Sequence, residues 1–130
     1  MSGQGIILLA VAIGSAAGGV LRYLVREWSV YWFSSSFPYG TLIVNVVGCL
    51  VAGCLLSYWQ QTMVSPVAKA ALMVGFLGAL TTFSSFSVDT LLLIEQQKLL
   101  KALLNIALNM SLSLIAVFLG AWIGGRIGQA

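Results

Sequence analysis

Apolar residues run along this chain in four long stretches, at residues 6–25, 39–59, 67–94 and 99–127. Each is close to or beyond the roughly 20 residues a helix needs to cross a hydrocarbon core about 30 Å thick. Polar and turn-forming residues collect between them. The first stretch ends in Arg22, Arg26 and Glu27, then Trp28, Tyr31, Trp32 and Phe33, rings of the kind that settle at headgroup level. Ser34-Ser35-Ser36-Phe37-Pro38 reads as a turn, and Tyr58-Trp59 closes the second stretch with another aromatic belt. Ser65-Pro66 is a helix start, with Ser as N-cap and Pro at the first helical position. The short link Glu95-Gln96-Gln97-Lys98 makes spans three and four antiparallel neighbours. The pattern predicts an all-α membrane protein of four transmembrane helices, one domain over residues 1–130.

Composition agrees. Of 130 residues, 60% are hydrophobic and 7% charged, against about 25% charged in soluble domains. The leading residues Met1-Ser2-Gly3-Gln4 carry no Lys or Arg, which argues against a signal peptide. Cys49 and Cys54 are five positions apart on one helix, about 140° around its axis, so they do not pair with each other. With no histidine, they make no metal-ligand set. A net charge of +3, dispersed, gives no nucleic-acid footprint. Without histidine or a nucleophile beside a base, an enzyme is not expected.

Two features depart from simple crossing helices. Span three has 28 residues, which would reach about 42 Å as one straight helix. Its middle, GFLGALTTFSSFS at residues 75–87, is poor in helix formers. A long tilted helix is one reading. A break near Gly78 to Thr82 is the other, preferred on helix propensity. Broken backbone survives at membrane depth only when buried in protein or lining a polar cavity, so a break implies a site. Small residues spaced four apart, Gly14/Gly18, Gly48/Ala52 and Gly120/Gly124/Gly128, predict close helix packing without naming partners.

Orientation is weakly encoded. Arg22, Arg26, Lys98 and Lys101 fall on one side; Lys69, Arg126 and the amino terminus fall on the other. Lys and Arg bias near span ends sets topology, and so thin a margin predicts insertion both ways and an antiparallel dimer.

Polar residues at membrane depth are costly and usually functional. Asn45 lies early in span two, where interhelical hydrogen bonding and a functional role both fit. Asn105, Asn109 and Ser113 follow at i+4 steps on span four as one polar stripe, extended by Lys101. It is a path for a dehydrating ion or a set of interhelical bonds. Phe83 and Phe86 flank Ser84 and Ser85. They are apolar filler, or rings whose positive edges meet an anion. Arg22, with no acidic residue in spans one and two, favours the anion.

At these residues the sequence resembles the Fluc, or CrcB, family of fluoride channels. GGVLRY (18–23) is similar to the family's Gly-x-x-x-Arg segment, GTLIVNVVG (40–48) to its G-T-L-x-x-N-x-x-G, and GFLGALTTFSSFS (75–87) to its G-x-x-G-G-x-T-T-F-S-T-F-S signature. Ala79 replaces that signature's second paired glycine, Ser85 its later threonine, and Asp89 stands where relatives often carry Glu. The resemblance implies an antiparallel, dual-topology homodimer in the bacterial plasma (inner) membrane, giving passive fluoride exit through pores formed between subunits. It implies that Asn45, Phe83, Phe86, Ser84, Ser85, Asn109 and Ser113 line the fluoride pathway, with Arg22 at the vestibule. It further implies that backbone carbonyls of Gly78 and Thr81 hold a structural sodium ion at the dimer centre. A small multidrug-type proton-coupled exporter is the alternative. That chemistry needs a carboxylate in span one, and residues 6–25 contain none.

Overall fold

A computed structural model describes residues 2–130; Met1, whose amine entered the charge balance, lies outside the described residues. The described residues form four long apolar helical spans joined by short links. α1 (Gly3–Trp32) begins at Ser2, whose hydroxyl accepts the Gly5 N–H at 3.1 Å. It continues through the aromatic cluster that the sequence suggests as a belt and stops only at Phe33. No glycine or proline stands between Gly19 and Pro38 to end it sooner.

α2 (Tyr39–Trp59) matches the second apolar stretch. α3 occupies Pro66–Glu95. Its start is the expected one: Ser65 Oγ accepts the Ala68 N–H at 3.2 Å, with Pro66 in the first turn. The span then changes character along its length. Pro66–Lys69 is α-helical, Ala70–Leu77 is wound as a π-helix, and Gly78–Leu80 is α-helical again. The span bends at Thr81 and Thr82, both extended, and α-helix resumes over Phe83–Glu95. A tight link with Gln97 at φ 59° turns the chain into α4 (Leu99–Gln129).

Glycines set how the spans lie together. A Cβ on Gly14 or Gly18 would collide with the carbonyl oxygens of Ala71 or Phe76, so α1 rests backbone to backbone on the π-helical part of α3. A Cβ on Gly53 would strike the Val117 carbonyl; on Gly120 and Gly124 it would strike those of Leu50 and Cys54. α2 and α4 accordingly form the most extensive helix pair in the fold. Burial of apolar side chains does not drive helices together in lipid, whereas close backbone approach does. The buried apolar core is small, centred on Val44, Leu77 and Leu80, and most large apolar side chains face outward. Cys49 and Cys54 are both free thiols.

Candidate functional site

The bend in α3 lies where α2 reaches it with an amide. Asn45 Oδ1 accepts the Thr82 N–H at 2.8 Å, and Asn45 Nδ2 donates to the Thr82 carbonyl at 3.1 Å. In an uninterrupted helix the Thr82 N–H would bond the Gly78 carbonyl four residues back. One step further, the Ser85 N–H goes to Thr82 Oγ1 at 3.0 Å, an N-cap bond that opens the second helical half. That same N–H would otherwise serve the Thr81 carbonyl. Side chains have thus taken the helical donors of both Gly78 and Thr81. The β-branched threonines, stiff at χ1 and at home in extended backbone, favour this local geometry.

From Asn45 a chain of amides runs into α4. Asn45 Nδ2 also donates to Asn109 Oδ1 at 3.0 Å. Asn109 Nδ2 donates to the carbonyl and Oδ1 of Asn105, both at 2.9 Å. Asn105, fully buried, donates to Thr90 Oγ1 at 3.0 Å, and the Thr90 hydroxyl donates to the Phe86 carbonyl at 2.8 Å. Two of the expected pathway residues, Asn45 and Asn109, therefore sit in direct contact, each with its side-chain donors engaged by protein acceptors. The interhelical-bond reading of the span-four stripe describes Asn105 and Asn109 as they stand here. Ser113, one turn on, differs: its Oγ is buried and has no hydrogen-bond partner.

Phe83 and Phe86 start the second half of α3. Their centroids are 5.2 Å apart with an interplanar angle of 67°, an edge-on pair. Phe86 is 7% exposed and Phe83 is 70% exposed, so Phe83 presents its ring outward beside the site. Ser84 Oγ lies 3.3 Å from Thr82 Oγ1. Arg22 Nη1 donates to Ser85 Oγ at 3.5 Å, which brings the expected vestibule cation to one of the expected hydroxyls. An aromatic edge, two hydroxyl donors and a guanidinium all offer positive partial charge to a small anion.

A second cluster escaped the sequence reading. Thr41 Oγ1 donates to Asp89 Oδ2 at 2.7 Å, and Arg26 Nη2 lies 3.5 Å from Asp89 Oδ1. Asp89 is the one buried acid in the fold among the described residues. A single acid in an otherwise apolar span was the available signal, since an intramembrane carboxylate demands a partner.

Comparison with known proteins agrees with these motifs. Residues 9–121 match the family described as "CrcB-like protein, Camphor Resistance (CrcB)". Proteins named "Fluoride-specific ion channel FluC" from Shewanella sp. (strain W3-18-1), Shewanella putrefaciens and Shewanella woodyi are each 50% identical over 113 residues. The aligned region covers 87% of this chain and 91% of each relative, and so takes in both the α3 bend and its partners on α2 and α4. The chain belongs to the CrcB-like family.

Proposed function

We propose that this chain is a fluoride-specific ion channel that lets fluoride leave the bacterial cytoplasm passively across the plasma membrane. It is not an enzyme. The observation that carries the reading is 50% identity to proteins named for that activity, over a region holding every candidate site residue. The local chemistry supports it. Fluoride is small and strongly hydrated, and a selective path replaces its water with several weak donors so that the ion binds and still leaves. The exposed Phe83 ring, Ser84, Ser85, the unpartnered Ser113 hydroxyl and Arg22 are of that kind. Asn45 and Asn109 belong to the same path through the scaffold that places these groups, since their own donors are engaged.

The functional unit in this reading is an antiparallel homodimer with both insertion orientations, the pores lying between the copies. Phe83 lies on the outside of one copy, and in this reading a second copy encloses it. The Gly78 and Thr81 carbonyls suit a sodium ion at the dimer centre, because their helical N–H partners are bonded to Asn45 and Thr82 instead. Unwound carbonyls of this type coordinate cations at mid-membrane. A sodium ion held by these carbonyls would supply a fixed positive charge at the contact between the two copies.

Liposomes loaded with fluoride and carrying the purified protein test the function. Rapid fluoride release to an external electrode once the membrane potential is clamped by a potassium ionophore is the expected result. Release no faster than from empty liposomes would contradict it.

A further inference from the structure

Three cavities, of about 230, 400 and 210 Å³, open around the Arg22 end of the site, and Arg26 stands in the wall of each. The first is floored by Thr41 and Asp89 and also meets Glu27 and the α1–α2 loop. The second holds Arg22, Glu27 and Ser85. The third holds Ser84, Ser85 and Asp89. Asp89 thus separates the two serines from the first cavity, and Arg26 is its ion-pair partner at 3.5 Å.

We infer that Arg26 sets the sign of charge along this route, cancelling Asp89 so that an anion passes between the Ser84–Ser85 cavity and the cavity beneath the α1–α2 loop. This rests on the anion-channel reading above. Thr41 holds the other oxygen of Asp89 at 2.7 Å, which favours its present position. Asp89 is only 10% exposed, so solvent screens it poorly, whereas Arg26 is 45% exposed and reaches it from the open side. Without Arg26 the lining of the first cavity would carry two carboxylates and no cation, with Lys101 only reaching the Ser36 carbonyl of the loop at 3.0 Å. The third would carry one carboxylate and no cation. Only the second would keep a cation, Arg22. A small anion a few ångströms from an uncompensated, poorly screened carboxylate is strongly repelled. Thr41, Asp89 and Arg26 therefore form a charge-cancelling set, and Arg26 acts as a selectivity-determining residue through Asp89.

A double-mutant cycle on the full-length protein in liposomes tests this. Arg26→Gln is expected to cut fluoride flux by about tenfold or more, the scale of one unscreened charge near the surface. Arg26→Lys keeps the charge and is expected to retain most of the flux. Arg26→Gln combined with Asp89→Asn is expected to recover it, because the charge to be cancelled is gone. A purely packing role would show equal loss in Arg26→Gln and the double variant, and that outcome overturns the inference. So does unchanged flux in Arg26→Gln. If Arg26→Gln does not purify as a monodisperse species, the double variant against wild type decides: loss of flux in a folded double variant overturns the proposal. A wild-type protein without fluoride flux would overturn the channel reading itself, a result distinct from failure of the cycle.

Discussion

Asn45 holds Thr82 as one strand holds its neighbour, taking its N–H at 2.8 Å and giving a donor to its carbonyl at 3.1 Å. One side chain on α2 thereby both bends α3 and satisfies the backbone that the bend exposes. Buried backbone groups left unpaired in lipid cost several kcal/mol, so the two residues stabilise each other.

Asn45→Ala should therefore act on structure before it acts on conduction. It strands the Thr82 N–H, a buried group, and removes a donor from Asn109. A cost of about 1–3 kcal/mol is expected, read as a lower thermal unfolding temperature in detergent. Asn45→Asp keeps the acceptor for Thr82 but loses both donors and places a carboxylate beside the Thr82 carbonyl, and should abolish fluoride flux.

Phe83→Ile should behave in the opposite way. Phe83 is largely exposed in one copy, so the fold and the elution of the protein should be unchanged. Flux should be lost, because isoleucine offers an anion no positive edge. Undiminished flux from folded protein would remove the ring from the pathway.

Gly120→Leu tests the α2–α4 packing. The new Cβ would meet the Leu50 carbonyl, which is backbone and cannot rotate away. Overpacking of this kind costs about 1–3 kcal/mol or more, so a sharp fall in thermal stability is expected. Gly19→Leu is the control, since a Cβ there meets nothing within 4 Å, and it should be near neutral.

Sodium removal tests the carbonyl site. Prolonged dialysis into choline buffer should lower both the thermal stability of the dimer and its flux, and added sodium should restore them. Identical stability in the two buffers would dismiss the site.

The four spans were legible because lipid imposes length and apolarity on anything that crosses it. The start of α3 at Ser65-Pro66 was equally readable, being local chemistry. The small-residue ridges announced close packing, yet not that Gly14 and Gly18 face α3 while Gly120 and Gly124 face α2. Which face meets which helix depends on how all four spans rotate, and no local pattern carries that. The π-helical stretch at Ala70–Leu77 lies against α1 and is illegible for the same reason. The continuation of α1 to Trp32, by contrast, has a local signal in the lack of Gly or Pro between Gly19 and Pro38. Asn45 and the stripe on α4 were legible as polar residues out of place. The partnership of Asn45 with Thr82, and the set of Thr41, Asp89 and Arg26, join residues 37 to 63 positions apart. Sequence shows the groups that need partners; only the fold says which partner each has.

The reversal potential of the protein in a planar bilayer, with fluoride on one side and an equal concentration of chloride on the other, tests the central claim most directly. The account predicts a large potential near the limit for a membrane permeable to fluoride alone. A reversal potential near zero would show that both anions pass, and would contradict it.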